Sequence, residues 1–108
     1  MRQKSFFQDV AAVVELIPHG KVTTYGAIAE YLGTKGSARM VGYAMHTLIG
    51  AGYPAHRVVN RTGKLTGHLR FENPTMAERL IQEGVLVEEN QILNFEHHFW
   101  NPSTSLHL

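Results

Sequence analysis

The sequence predicts a mainly α domain with short β-hairpins, built around a helix-turn-helix corner. Three observations lead there. Apolar residues recur at helical spacing in four stretches, each opened by a capping residue and closed by glycine or proline. Two of these stretches are short and joined by a glycine-containing turn, the pattern of a helix-turn-helix. Short apolar, partly β-branched runs follow residues 56 and 85 and are broken by turn residues. Residues 1–102 are expected to form one domain, and residues 103–108 a frayed tail, because 108 residues support one core.

Ser5 and Gln8 make a capping box ahead of Phe6, Val10, Val13, Val14 and Ile17, an amphipathic helix stopped by Pro18-His19-Gly20. A second helix is predicted from about Tyr25 to Leu32, with Thr24 as N-cap and Gly33 just past its end. Its buried stripe is Ala27, Ile28, Tyr31 and Leu32. Thr34-Lys35-Gly36 forms the turn, and Ser37 caps a third helix from Ala38 to about Leu48, closed by Gly50 and Gly52. On that helix Ala38, Gly42, Met45 and His46 share a face that is small near its start. A glycine inside a helix costs ~1 kcal/mol relative to alanine, so it needs a reason. Either another helix packs closely there, or a nucleic acid approaches it, for instance through the narrow minor groove.

His56 to Asn60 and Leu65-Thr66, around a turn at Thr62-Gly63, read as one hairpin. Asn73 as N-cap and Pro74 at the first helical position open a fourth helix, with Met76, Ala77, Leu80 and Ile81 facing inward and Gly84 ending it. Val85 to Val87 and Gln91 to Phe95, separated by Glu88-Glu89-Asn90, read as a second hairpin. The aromatic segment from His97 to Pro102 is expected to dock on the body.

Composition removes whole classes of chemistry. The chain has no cysteine, which excludes disulfides, thiolate zinc sites, iron–sulfur clusters and a cysteine nucleophile. His97, His98 and His107 lack metal-ligand spacing and no HExxH occurs, so neither a metal nor another cofactor is expected. No apolar run approaches the ~18 residues of a membrane span, and the first residues lack a signal peptide's apolar core. A cytoplasmic protein without a membrane partner is expected. The net charge of +1 hides an uneven distribution, +6 over residues 1–70 and −5 over residues 71–108. Such a split fits a polyanion-facing surface, and equally a solvated surface on which the charges mix.

Pro54-Ala55-His56-Arg57-Val58 resembles the Pro-Cys-His-Arg-Val signature of the O6-alkylguanine-DNA alkyltransferases. The likeness runs on. Ile17 to Gly26 is similar to the segment leading into that family's first DNA-site helix, Ser37 to Met45 to its recognition helix, and Glu83-Gly84 to the acid–glycine pair that follows. Order and spacing agree from about residue 5 to residue 84. The resemblance implies a winged-helix-like helix-turn-helix DNA-binding domain, like the alkyltransferase C-terminal domain. One departure is decisive. Ala55 stands where the transferases carry the cysteine that accepts the alkyl group, so self-alkylating repair is chemically excluded. That points to the alkyltransferase-like proteins, non-enzymatic binders of O6-alkylguanine, many of which have tryptophan at this place.

What the resemblance implies can be stated residue by residue. Arg39 is the finger that enters the duplex and fills the space left by a flipped nucleotide. Tyr25 crowds that nucleotide's phosphate and offers its hydroxyl to the base. Pro54, Ala55, His56, Arg57 and Val58 belong to the lesion pocket, with Glu83 supporting His56. His68 and Leu69 occupy the place of an aromatic–serine pair that approaches the alkylated oxygen, which implies tolerance of larger alkyl groups. Thr24, Ser37, Ala38, Met40 and Gly42 belong to the DNA-binding corner, and Arg61, Lys64 and Arg70 add phosphate contacts or a lid.

The expected function is therefore a damage sensor. It would bind double-stranded DNA containing O6-alkylguanine by the minor groove, flip the damaged base, and flag it for nucleotide excision repair proteins. It would act as a monomer, at the bacterial nucleoid or in a nucleus. Two other classes remain open on the residues: a hydrolase in which His56 and Glu83 activate water against a flipped nucleotide, and a helix-turn-helix regulator.

Overall fold

The computed structural model describes residues 5–33 and 38–106. Helix α1 (Phe6–Glu15) starts as its capping box dictates. The Ser5 hydroxyl oxygen accepts from the Gln8 N–H at 3.1 Å, while the Gln8 side chain accepts from the Ser5 N–H at 3.0 Å. Val10, Val13, Val14 and Ile17 are buried along one stripe. Strand β1 (Thr23–Thr24) runs directly into α2 (Tyr25–Tyr31), where the Thr24 hydroxyl oxygen accepts from the Ala27 N–H at 3.0 Å. Helix α3 (Ala38–Leu48) packs on both α1 and α2 and buries Val41, Ala44, Met45 and Leu48. The expected helix-turn-helix is thus α2–α3. Ser37 and the Thr34-Lys35-Gly36 turn lie outside the described residues.

The first hairpin is not formed as expected. Ala55–Arg57 is a single 3-10 turn, and strand β2 (Val58–Val59) pairs in parallel with β1, Thr23 opposite Val58 and Thr24 opposite Val59. Residues 60–64 do form a turn. The Asn60 side-chain oxygen accepts from the N–H groups of Thr62 (3.0 Å) and Lys64 (2.8 Å), which satisfies the loop locally. Gly63 is required there, since its φ is +86° and a Cβ would lie 2.9 Å from the Phe95 ring. With Asn60 turning the chain and β1 available, the two valines find their partner far away in sequence.

A second 3-10 turn (His68–Arg70) leads to α4 (Met76–Gln82). Its cap is Thr75, not Asn73. The Thr75 hydroxyl oxygen accepts from the Glu78 N–H, and the Glu78 side chain accepts from the Thr75 N–H, so a capping box outcompetes the Asn-Pro signal. Met76 and Leu80 are buried one turn apart, while Ile81 is 47% exposed, because the next residue is rotated about 100° away. Strands β3 (Val87–Glu88) and β4 (Gln91–Ile92) form the second hairpin. Its turn is Glu89-Asn90, both at positive φ as a two-residue type I′ turn demands. Phe95 leaves the strand to begin α5 (Phe95–His98).

The aromatic segment docks beside β1. The Val22 N–H donates to the His98 carbonyl at 2.9 Å and the Trp100 N–H donates to the Val22 carbonyl at 2.7 Å. Residues 103–105, where fraying was expected, belong to a helical turn, α6 (Pro102–Ser105), packed on α2. Asn101 caps it and Pro102 at the first position is buried, a helix-start signature overlooked in so short a segment. Among the described residues no helix is long and apolar enough to cross a membrane.

Candidate nucleic-acid interface

The parallel register of β1 and β2 builds the site. It sets the start of α2 beside the turn Ala55–Arg57, so Tyr25, the first residue of the helix, and Ala55 line one pocket of about 430 Å³. Helix α3 supplies a second wall with Ala38, Arg39, Gly42, Tyr43, Met45, His46 and Ile49. Val58, Thr66, Gly67, Arg70, Phe71 and Met76 complete it. The floor is apolar and buried, formed by Met45, Ala55, Val58, Phe71 and Met76. Arg39, Tyr43, His46 and Arg70 are exposed at the rim. Among the described residues neither Arg39 nor Arg70 pairs with a carboxylate, so both cationic heads are available to an anion. The chemistry suits a flat, largely apolar group entering from a phosphate-bearing polymer.

Gly42 bears on the two explanations of the small helix face. A Cβ built there meets nothing within 4 Å among the described residues, so none of them packs close enough to require a glycine. Gly67 lies beside the pocket's phenol, and a Cβ there would make an ordinary 3.5 Å contact with the Tyr25 hydroxyl. Its backbone flanks the phenol and gives that wall its shape.

Behind the pocket lies a polar network centred on Glu83, at the C-terminal end of α4. Its carboxylate accepts from His56 Nε2 at 2.7 Å, from the Arg57 guanidinium at 2.8 and 2.9 Å, and from the Gly20 N–H at 3.0 Å. Arg57 also donates to the Ile17 carbonyl at 2.8 Å. Gly20 has φ +81°, a conformation that favours glycine, and a Cβ there would make a 3.4 Å contact with the Glu83 carbonyl oxygen. Burial works to raise the Glu83 carboxyl, but the bonds from Arg57, Gly20 and His56 win and hold it down to about 2. For His56 burial outweighs the neighbouring carboxylate and lowers the imidazole from its usual range. A neutral imidazole donating to a carboxylate, braced by Arg57, stiffens the turn that carries Ala55.

Of the residues singled out from sequence, Tyr25, Ala38, Arg39, Gly42, Ala55, Val58 and Arg70 come together in the pocket wall. His56, Arg57 and Glu83 form the network behind it. Arg57 is held mainly by Glu83 and by one backbone carbonyl. Pro54 precedes the turn and accepts from the Arg57 N–H through its carbonyl. Thr24 is buried and its hydroxyl oxygen caps α2, so it positions Tyr25 from within. Met40 is half-exposed on α3 outside the pocket, and Arg61 and Lys64 are exposed on the 60–64 turn. His68 and Leu69 do not line the cavity, and Leu69 is 84% exposed. Sequence reasoning missed Tyr43, Ile49, Thr66, Gly67, Phe71 and Met76 as wall residues. The i, i+4 spacing from Arg39 could have found Tyr43.

Comparison with known proteins agrees with this geometry. The family model described as the 6-O-methylguanine DNA methyltransferase DNA binding domain matches residues 5–85. Alkyltransferase-like protein 1 of Schizosaccharomyces pombe is 36% identical over 108 residues, covering 94% of this chain and 100% of that protein. The DNA base-flipping protein of Escherichia coli is 38% identical over 103 residues, covering 93% of this chain and 78% of that protein. The crystal structure of S. pombe Atl1 in complex with damaged DNA containing O6-carboxymethylguanine superposes with a TM-score of 0.79 at 36% identity, covering 94% of this chain and all of that one. A cysteine-free chain whose helix-turn-helix and Pro-Ala-His-Arg-Val turn enclose one pocket belongs to the 6-O-methylguanine DNA methyltransferase DNA-binding family, and within it to the alkyltransferase-like proteins.

Proposed function

We propose that this protein is a non-enzymatic sensor of DNA damage. It binds duplex DNA by the minor groove through α3 and draws an O6-alkylguanine out of the stack into the pocket between Tyr25 and Ala55. Arg39 occupies the place the nucleotide leaves. The observation that carries this reading is the pocket itself. Its floor at position 55 is a buried methyl group, backed by an intact His56–Glu83–Arg57 network, in a chain with no thiol to activate. Flipping costs a few kcal/mol of unstacking, offset by burial of the base on an apolar floor and by Arg39. Met45 and Met76, with unbranched side chains, adapt that floor to alkyl groups of different size.

The network argues against hydrolysis. Neither His56 nor Glu83 lines the pocket, so neither stands beside a bound nucleotide as the base that hydrolysis needs. A protein that grips a lesion without changing it needs others to finish the repair, and nucleotide excision repair proteins are the partners we assign. The sensor works as a monomer at the chromosome, in bacterial cytoplasm or in a nucleus.

A titration against duplexes of one sequence, unmodified or carrying O6-alkylguanines of increasing size, tests this. The expected result is tighter binding to every alkylated duplex, with the modified base recovered unchanged by mass spectrometry. Equal affinity for modified and unmodified DNA would make the protein a general binder or regulator. Loss of the alkyl group or cleavage of the strand would make it an enzyme.

A further inference from the structure

Tyr43 lies one turn beyond Arg39 on α3, lines the pocket mouth and is 52% exposed. No core requirement accounts for it. An aromatic side chain loses rotamer freedom in a helix, and at this exposure it recovers little by burial. Its neighbour Gly42 also costs the helix, and open space surrounds the missing Cβ. Two consecutive positions thus break the local rule without an internal gain, which marks a surface shaped for something outside the molecule. The Tyr43 ring is already oriented, meeting the His46 ring edge-on at 74° with centroids 6.4 Å apart. An aromatic held in place before binding loses less freedom on contact.

We propose that Tyr43 is a second wedge of the DNA interface, resting on the proposed base-flipping function. When α3 enters the groove, Gly42 lets the helix backbone come close. Arg39 fills the vacated position, and the flat phenol of Tyr43 packs against the adjoining base step, keeping the stack from closing over the gap. Partial unstacking by an inserted side chain is a general device of minor-groove binders. The ligand is the duplex step beside the lesion, recognised by its exposed π-face, and the contact is indifferent to the alkyl group.

The experiment compares wild type, Tyr43→Ala, Tyr43→Phe and Arg39→Ala on O6-methylguanine and unmodified duplexes. Affinity is measured over a range of salt, and a 2-aminopurine beside the lesion reports unstacking. Tyr43→Ala is expected to bind the lesion duplex about tenfold more weakly, as loss of one base–aromatic contact implies. It should lose most of the 2-aminopurine signal, keep the wild-type salt slope and melt at the wild-type temperature. Tyr43→Phe should behave like wild type. Unchanged affinity and fluorescence for Tyr43→Ala would overturn the proposal, as would a shallower salt slope shared by both variants, which would make the hydroxyl a phosphate contact. If wild type itself shows no lesion preference, the sensor reading fails; if it does and Tyr43→Ala matches it, only the wedge fails.

Discussion

Individual side chains here divide between those the fold needs and those it leaves free. Arg39 sits in the first turn of α3, where the helix dipole disfavours a cation, and it pairs with no acid among the described residues. Its cost is local, and on the proposed function its use is external. Arg39→Ala should therefore lower the ratio of lesion to normal affinity about tenfold, as loss of charge-assisted hydrogen bonds implies. Affinity for undamaged duplex should fall less than about threefold, and the two titrations read both quantities. Glu83 is the opposite case. Its folded carboxyl is held at about 2 against an ordinary 4.5, so its contribution to stability is complete above pH 4.5 and is lost as pH falls toward 2. His56, also lowered, acts in the same direction, with stability declining as pH falls through its ordinary 6.5. Glu83→Gln should cost about 3 kcal/mol at neutral pH by leaving Arg57 without its counter-charge. It should also flatten the acid limb between pH 4.5 and 2 in urea melts. An acid limb unchanged from wild type would show that other carboxylates govern acid unfolding.

Elements were legible in proportion to how local their signals are. Helices α1 and α2 follow from caps and apolar spacing within a few residues and α3 from its apolar spacing, and they appear where those signals put them. The β1–β2 pairing was not legible, because Val58-Val59 carries no mark of its partner and the nearby Asn60 turn suggested a hairpin. The same limit applies to the site. One face of α3 can be read from i, i+3 and i+4, whereas Phe71 and Met76 reach the pocket only through tertiary packing of α4 and the chain before it. At α4 two local signals competed, and the box at Thr75 and Glu78 prevailed over Asn73-Pro74. Thr75→Ala should then destabilise the protein by about 1 kcal/mol, while Asn73→Gly, which removes the side chain but suits the positive φ there, should change stability by less than about 0.5 kcal/mol. Thermal melts of the two variants side by side distinguish the caps.

Across the whole chain the charge division is clean in sequence but not in space, since Lys64 bridges to Gln91 of the acidic β3–β4 hairpin. The basic first 70 residues contain α2, α3, the Ala55 turn and the exposed Arg61, Lys64 and Arg70, whereas the last 38 carry −5 and include the β3–β4 hairpin with Glu88 and Glu89. On the proposed function a duplex at the pocket meets Arg39 and Arg70, which line it, and each phosphate neutralised releases counterions. Binding should weaken with salt, with log K falling by about 0.9 per phosphate contact for each unit of log salt. Replacing Arg61 and Lys64 together by alanine should make that slope shallower by about 2 units if each meets a phosphate. Replacing Glu88 and Glu89 by glutamine should leave it unchanged, because carboxylates neutralise no phosphate and the slope counts phosphate contacts. The two double variants separate a directed surface from simple net charge. Each changes the total by two, in opposite senses, so equal and opposite changes in slope would mean that DNA responds to overall charge and not to the face that bears the pocket.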